Sequence, residues 1–237
     1  MTELRVLHQL RNSSLSGDEL SRSAADVRGR PGALESEAYV CTSDSNRSAI
    51  VQLWEDETAY TEFRRGRGTD SVTAAIDDPE VELTTEFYAR CPYRQNGAAW
   101  TPVSHGAQSS VIEWPAAGAV RAIIAVAAPS VPEVDSALDA DCRATRREPG
   151  CEQYAYFRGT EHPEDLLLLE LWVDQRHYDA HWGLRVDTGG DEKPPSPPRI
   201  LGKESIEFYR HSPFVHLYDR WMPSESQAWS RTISWPC

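Results

Sequence analysis

The sequence has very little lysine and no concentration of basic residues. Lys193 and Lys203 are its only lysines, and 37 acidic residues against 24 basic ones give a formal net charge of −13 over 237 residues. Phosphate backbones and anionic membrane surfaces attract basic proteins and repel a protein of this charge. We therefore expect neither nucleic acid nor a membrane as a partner.

Other absences narrow the class of protein further. The five cysteines show no C-x-x-C spacing, and an odd number in a chain of this length does not predict a disulfide scaffold. The sequence also lacks a run approaching the ~20 apolar residues of a membrane-spanning helix, a signal peptide, a Gly-rich phosphate loop and a G-x-S-x-G motif. These features predict a soluble, cytoplasmic protein that is neither a nucleotide-dependent enzyme nor a serine hydrolase.

What the sequence does contain is an internal repeat at an offset of 118 residues, in which residues 31–64 align without gaps on residues 149–182. The aligned identities are Pro31-Gly32 with Pro149-Gly150, Thr42 with Thr160, Leu53-Trp54 with Leu171-Trp172, Asp56 with Asp174, and Tyr60 with Tyr178. Glu86-Phe87-Tyr88 and Glu207-Phe208-Tyr209 follow in the same order, after a slip that the Pro-rich segment 191–198 can absorb. The repeat predicts an N-terminal domain at 1–96, a linker at 97–118 and a C-terminal domain with an aromatic-rich extension at 119–237.

Each repeat predicts the order strand, helix, strand, strand, helix, strand. In the second repeat, residues 120–128 form a β-branched run, and Val134, Leu138 and Cys142 follow at helical spacing. Residues 151–173 read as a hairpin, Asp174 as the N-cap of a helix, and residues 205–212 as the last strand. The predicted fold class is α+β, with two ferredoxin-like βαββαβ units in tandem.

The strand that ends in Trp172 has two unlike faces, because alternate side chains point to opposite sides of a sheet. Leu167, Leu169 and Leu171 share one face, whereas Leu168, Glu170 and Trp172 share the other, and the strand that ends in Trp54 is divided in the same way. We expect the leucine face to lie beneath the helices. We expect the tryptophan faces of two facing sheets to border an interior cavity.

The second repeat resembles a known family. Residues 147–182, REPGCEQYAYFRGTEHPEDLLLLELWVDQRHYDAHW, are similar to the antibiotic biosynthesis monooxygenase (ABM) domain, whose pattern runs from Pro-Gly through an E-x-W strand end to a helix ending in Ala-His. The first repeat matches this pattern more loosely. The resemblance implies a dimeric α/β barrel, formed here within one chain as a pseudo-dimer or between the chains of a homodimer.

The resemblance also implies a function. Members of the family oxidise aromatic polyketide phenols or anthrones to quinones with O₂ and without flavin, haem or metal, so we expect a cofactor-independent monooxygenase of bacterial secondary metabolism whose partners are a small aromatic substrate and O₂. These enzymes carry an Asn four residues before the strand-end Trp, where this chain has Ile50 and Leu168. That difference favours the alternative of a non-redox polyketide cyclase or isomerase. A non-catalytic module that binds haem or an aromatic ligand is a third possibility.

The candidate site residues follow from the pattern and from side-chain chemistry. His181 or Glu170 would accept a phenolic proton, and Tyr178 would orient a substrate oxygen. The substrate-binding candidates are Trp172, Trp54, Tyr60 and His177. Packing in the core is the structural alternative for the aromatic residues, and His177 with His181 lacks the third ligand of a metal site. The main site should lie in the second repeat, because the first repeat has Ala59 and Phe63 in place of the two histidines.

If the implied chemistry holds, turnover needs no added flavin, nicotinamide or metal. Dialysis of the purified protein against a chelator should leave the rate of substrate oxidation unchanged. Loss of activity that Fe(II) restores would instead identify His177 and His181 as metal ligands.

Overall fold

The computed structural model of the chain describes residues 3–66, 81–96, 99–102, 118–187, 200–211, 213–217 and 220–223. The chain divides into two compact units. Unit 1 comprises Met1–Arg90, Gly159–Glu161 and Ser212–Cys237, and unit 2 comprises Cys91–Arg158 and His162–His211. None of the helices in the described ranges is long and apolar enough to cross a bilayer.

Unit 1 is an antiparallel sheet with two helices on one face. Its elements, numbered along the whole chain, are β1 (Leu4–Arg11), α1 (Gly17–Arg28), β2 (Ala33–Cys41), β3 (Asp44–Trp54), α2 (Glu57–Arg65), β4 (Glu82–Ala89), β11 (Pro213–Leu217) and β12 (Arg220–Pro223). The strand order is β12-β11-β4-β1-β3-β2. The four strands β1 to β4 with α1 and α2 form a ferredoxin-like βαββαβ unit.

Unit 2 repeats this arrangement. Its elements are β5 (Pro92–Asn96), β6 (Ala99–Pro102), β7 (Val120–Ala127), α3 (Pro132–Thr145), β8 (Cys151–Gly159), β9 (Asp165–Trp172), α4 (Gln175–Asp187) and β10 (Ile200–Arg210). The strand order is β8-β9-β7-β10-β5-β6. Two ferredoxin-like units in tandem confirm the predicted α+β fold class.

The repeated aspartates begin the second helix of each unit. Asp56 is the N-cap of α2, and its Oδ1 accepts a hydrogen bond from the Ala59 backbone N–H at 2.9 Å. Asp174 Oδ1 accepts from the His177 N–H at 3.0 Å at the start of α4. An N-cap side chain satisfies one of the backbone donors that a helix leaves without an intrahelical partner, so the identity of these two residues is explained by capping.

The repeated Pro-Gly pairs have a packing role. Gly32 and Gly150 both have φ of +78°, which disfavours any residue with a Cβ atom. A Cβ at Gly32 would lie 2.4 Å from Ala59 Cβ, and one at Gly150 would lie 2.3 Å from His177 Cγ. The glycines therefore allow each turn to pack directly against the first turn of the following helix.

The prediction of which sheet face the helices cover was wrong. Trp172 is fully buried and packs with Leu138 of α3 and Tyr178 of α4, and Trp54 packs in the same way with Val27 of α1 and Tyr60 of α2. By strand alternation, Leu167, Leu169 and Leu171 lie on the face that these helices leave uncovered.

The tryptophan face of each sheet also carries a polar residue, and it can lie beneath helices because that residue has a hydrogen-bond partner on the same face. Trp172 Nε1 donates to Glu170 Oε2 at 2.9 Å, and Trp54 Nε1 donates to Gln52 Oε1 at 3.1 Å. Each hydrogen bond satisfies both the buried indole N–H and one side-chain oxygen two residues before it. The polar residue thus does not prevent burial against the helices.

The edge hairpin of each unit comes from an unexpected part of the chain. β11 pairs with β4, and Phe214 packs against Phe87 with ring centroids 5.3 Å apart. β5 pairs with β10, and Tyr93 packs against Phe208 with ring centroids 5.1 Å apart.

The bounds of the compact units therefore differ from the domain boundaries at 96 and 119 that the sequence predicts. Residues 103–117 of the linker, the Pro-rich segment 191–198 and residues 224–237 of the C-terminal extension lie outside the described residues.

Because Phe214 belongs to the core of unit 1, its replacement should destabilise that unit. Phe214→Ala should lower the free energy of unfolding of unit 1 by about 3 kcal/mol, the lower end for a buried phenylalanine. Hydrogen exchange followed by mass spectrometry should show faster exchange in β4 and β1 and little change in β9. An increase confined to β9 would contradict this assignment of the C-terminal segment.

Candidate functional site in unit 2

The structure brings three of the predicted residues together beneath the helices of unit 2. Glu170 and Trp172 come from β9 and His181 from α4, and no side chain among them is more than 3% exposed. The imidazole of His181 lies against the indole of Trp172, with centroids 4.7 Å apart and planes inclined by 34°. The sequence predicts these residues without a geometry that joins them, and the fold supplies that geometry.

Glu148 completes the surroundings of His181. Its Oε2 lies 2.6 Å from His181 Nδ1. A carboxylate can only accept a hydrogen bond, so the contact favours the tautomer protonated at Nδ1 and makes Nε2 the acceptor nitrogen of the ring. Glu148 was not predicted from the sequence. The sequence contained a signal for it, because the repeats differ at this position: Glu148 comes immediately before the second Pro-Gly pair, and Arg30 comes before the first.

A second acidic group lies in the same interior. Asp141 of α3 accepts hydrogen bonds from Tyr156 at 3.0 Å and from Tyr154 at 3.3 Å, and the Tyr154 ring lies edge-on to His181 at 5.7 Å. All three residues are buried. Their counterparts in unit 1 at the same offset are Ser23, Ser36 and Ala38. This cluster, which belongs to unit 2 and not to unit 1, was not predicted from the sequence.

Glu170 makes the same contact to a tryptophan in unit 2 as the uncharged Gln52 makes in unit 1. It accepts the Trp172 Nε1 hydrogen bond at 2.9 Å, and the amide of Gln52 accepts the corresponding bond from Trp54 at 3.1 Å. Because Gln52 carries no charge, this interaction orients an indole ring without any acid–base chemistry. The geometry assigns Glu170 a positioning contact.

The cluster also affects a nearby thiol. Burial raises the pKa of Cys151 to about 12, with further contributions from the negative charges of Glu170 and Glu148. The thiol is therefore protonated at neutral pH, and a protonated thiol is a poor nucleophile. Cys151 is unsuited to covalent catalysis in this setting.

The remaining candidate residues have other surroundings. Tyr178 packs edge-on against Phe208 at 5.1 Å in the same core as Trp172. His177 Nδ1 lies 2.7 Å from Asp174 Oδ1 at the start of α4, which gives it a structural contact. Trp54 and Tyr60 lie in unit 1, with ring centroids 5.6 Å apart.

Within the described ranges, no group of three or more His, Cys, Asp and Glu residues is arranged to hold a metal ion. The functional groups gathered in unit 2 are an imidazole, an indole that supports it and two carboxylates. One carboxylate lies at hydrogen-bonding distance from the imidazole, and the other accepts hydrogen bonds from phenols. Such a set can move a proton at a buried aromatic site.

The segment that contains the candidate site is similar to a known protein family. A family model described as antibiotic biosynthesis monooxygenase matches residues 119–184, a segment that includes Glu148, Trp172, Tyr178 and His181. A comparison with curated proteins gives no match.

Several solved structures are similar to the chain. An aldoxime dehydratase is 13% identical, with a TM-score of 0.47, and the match covers 89% of this chain and 85% of that one. An anthrone oxidase-like protein is 13% identical, with a TM-score of 0.35 and coverage of 89% and 91%. A protein of Lactobacillus acidophilus NCFM, provisionally assigned as a monooxygenase, is 11% identical, with a TM-score of 0.33 and coverage of 88% and 93%. By the family model alone, residues 119–184, which include the candidate site, are similar to the antibiotic biosynthesis monooxygenase domain.

Proposed function

We propose that unit 2 is the catalytic unit of a monooxygenase that oxidises a phenolic polycyclic aromatic compound with O₂ and without flavin, haem or metal. The observation that carries this proposal is the 2.6 Å contact between His181 Nδ1 and Glu148 Oε2 inside the segment that matches the monooxygenase family. It provides a buried base with a fixed tautomer beside an aromatic platform. Unit 1 has Phe63 and Arg30 at these positions and therefore has no such pair.

The first step is removal of a proton from the substrate. The phenol or activated methylene of the substrate transfers a proton to Nε2 of His181. The imidazolium that forms keeps its Nδ1 hydrogen bond to the carboxylate of Glu148, which stabilises the positive charge. Burial strengthens this interaction, because little water is present to screen it.

The second step is oxidation of the substrate anion. For an anthrone, the anion transfers electrons to O₂, and the resulting oxygen adduct forms at the deprotonated carbon. One oxygen atom becomes the quinone carbonyl, the other leaves as water, and the methylene carbon loses both hydrogens. The substrate supplies all four electrons and O₂ accepts them, so the balance requires no further reductant.

The other residues of the site hold the base in place. Glu170 fixes the orientation of the Trp172 indole, and the indole supports one face of His181. Glu148 fixes the orientation of the His181 imidazole through its contact with Nδ1. Small displacements of a base cost much of its catalytic effect, so this support matters for the rate. Tyr178 contributes to the aromatic surroundings of the substrate.

A non-redox cyclase or isomerase is the second candidate function. Proton transfer at His181 is sufficient for that chemistry, and the buried hydrocarbon side chain of Leu168 takes the position where the aromatic oxygenases of the family carry an Asn. Measurement of O₂ consumption with an anthrone substrate distinguishes the two. Stoichiometric uptake supports the oxygenase, and product formation without uptake supports the cyclase.

His181→Ala and Glu148→Gln should each reduce turnover, His181→Ala by about 10²-fold or more, a typical contribution of general base catalysis. Glu148→Gln should have the smaller effect, since it retains a hydrogen bond to the ring but removes the negative charge that stabilises imidazolium. O₂ uptake with purified variants gives the rates, and circular dichroism checks the fold. Phe63→Ala is the matched control, because Phe63 stacks on Trp54 in unit 1 as His181 stacks on Trp172. Full activity in His181→Ala together with loss in a folded Phe63→Ala would move the site to unit 1.

Glu170→Gln should change kcat by less than about fivefold, because Gln52 shows that an amide accepts the same indole hydrogen bond. Glu170→Leu should reduce activity more strongly, since it leaves the buried Trp172 N–H without an acceptor, a loss on the order of 1–3 kcal/mol. Rates and melting temperatures of both variants provide the comparison. A 10²-fold loss in a fully folded Glu170→Gln variant would show instead that Glu170 is the base.

A further inference from the structure

The imidazole of His181 has a second aromatic neighbour besides Trp172. The ring of Tyr154 lies edge-on to it, with centroids 5.7 Å apart and planes inclined by 64°. Tyr154 is on β8, where it pairs in register with Glu170, the residue that orients the Trp172 indole. The candidate base therefore packs against rings from two neighbouring strands, β8 and β9.

The Tyr154 ring is anchored on helix α3. Its hydroxyl donates a hydrogen bond to Oδ2 of Asp141 at 3.3 Å, and the hydroxyl of Tyr156 donates to the same oxygen at 3.0 Å. The two phenol rings meet edge-on, with centroids 5.9 Å apart. At the backbone end, the Tyr154 carbonyl accepts a hydrogen bond from Arg146 Nε at 2.8 Å. We call the set of Asp141, Tyr154 and Tyr156 the α3 clamp.

Burial makes this arrangement specific. Tyr154 and Tyr156 are both 0% exposed, and Asp141 is 6% exposed. A buried phenol hydroxyl that loses its acceptor costs free energy, so both rings are held in the orientations that reach Asp141. Because a protein interior is close-packed, a ring that leaves this position displaces its neighbours, and one neighbour of Tyr154 is the imidazole of His181.

Unit 1 has neither the clamp nor the base at the corresponding positions. At the offset of the repeat, the three clamp residues are replaced by Ser23, Ser36 and Ala38. A histidine is buried in unit 1, but it is His8 of β1, and burial together with the positive charge of Arg64 lowers its pKa to about 3. It is therefore neutral at neutral pH and a weak base. The clamp occurs in the unit that carries the proposed base.

We propose that Asp141 is a positioning residue for the proton transfer in unit 2, because it holds the phenol of Tyr154 and thereby sets the position of the His181 imidazole. This role rests on the function proposed for unit 2, in which His181 is the base. It acts through hydrogen bonds and ring packing, so it needs an acceptor oxygen at residue 141 and does not need a negative charge there. The packing of α3 therefore affects the rate of a proton transfer to a residue of α4.

Kinetics of O₂ uptake with an anthrone substrate test the proposal on variants of the full chain. Asp141→Leu removes the acceptor of both phenols and should lower kcat by about tenfold or more with little change in KM, because a displaced base slows proton transfer more than it weakens binding. Tyr154→Phe keeps the ring but removes its anchor, and it should lower kcat by about fivefold. Asp141→Asn should keep kcat within about twofold of the wild type, since an amide oxygen can accept both hydrogen bonds.

Tyr88→Phe is the matched control. In unit 1 the hydroxyl of Tyr88 donates to Glu86 Oε2 at 2.6 Å, which is also a buried hydrogen bond between a phenol and a carboxylate. Its removal should leave kcat unchanged. Wild-type kcat in a folded Tyr154→Phe variant would overturn the proposal, and this variant decides the matter should Asp141→Leu fail to fold.

The pH profile of kcat distinguishes positioning from an effect of charge. The profile of Asp141→Asn should coincide with that of the wild type. Equal losses of kcat in Asp141→Asn and Asp141→Leu, or a displaced profile in Asp141→Asn, would show that the charge of Asp141 acts on His181, and either result would contradict the proposal.

An NMR measurement without substrate separates this inference from the proposed function. In protein with ¹⁵N-labelled histidine, the His181 signals are identified by their loss in His181→Ala. Ring currents make these signals sensitive to the neighbouring rings, so Tyr154→Phe and Asp141→Leu should shift them, whereas Asp141→Asn and Tyr88→Phe should not. Exchange between ring positions on the μs–ms timescale should also broaden them.

The two measurements give separate answers. Unchanged His181 signals in folded Tyr154→Phe and Asp141→Leu would overturn the inference even where the wild-type protein oxidises the anthrone. Shifted signals in a protein that oxidises no anthrone would confirm that the α3 clamp positions His181 and would contradict the proposed function alone.

Discussion

The structure of each unit depends on one hydrogen bond, from the indole N–H of the tryptophan that ends β3 or β9 to the side chain two residues earlier. A tryptophan buried beneath helices needs an acceptor for this N–H, and here the side chain two residues earlier on the same strand face supplies it. The bond fixes the plane of the indole, and the indole then supports the aromatic or imidazole ring of the following helix at 4.7 to 5.1 Å. The helix-covered core of each unit is arranged around this pair.

With this frame in common, the two units have acquired different interiors. In unit 2 an aspartate accepts hydrogen bonds from phenols, and a glutamate lies at hydrogen-bonding distance from a histidine. Unit 1 instead has serines, a neutral histidine and a glutamine. The backbone features that keep the frame are the Asp caps and the turn glycines, and none of them depends on which side chains occupy the interior. The duplicated fold can therefore hold two chemically distinct interiors in one chain.

Much of this fold is readable from the sequence, because capping, turn and hydrophobic patterns are local. The order of strands and helices, the Asp174 cap and the close match of the repeats follow from such patterns. The face of the sheet that the helices cover was not predictable in the same way. Alternation separates Trp172 from Leu171, but only the indole hydrogen bond to Glu170 shows that the more polar face can be buried under helices.

Only part of the candidate site could be proposed from the sequence, for related reasons. His181, Glu170 and Trp172 were found through the family pattern, and the fold brings them into contact. Glu148 and Asp141 lie on or beside α3, distant in sequence from His181, so their contribution depends on how that helix packs. The edge hairpins were not predictable, because pairing of β11 with β4 joins segments more than a hundred residues apart and no local pattern specifies it.

The origin of those hairpins affects how the chain is made. β4 acquires its neighbour β11 only after residues 213–217 have been synthesised, more than a hundred residues after β4 itself. On the ribosome, where domains usually fold in order from the N-terminus, unit 1 must wait with an open sheet edge until the elements of unit 2 have been translated. The segment that repeats in the sequence is therefore not the same as the compact unit of the fold. A cut between the repeats would leave the first repeat without part of its sheet and core.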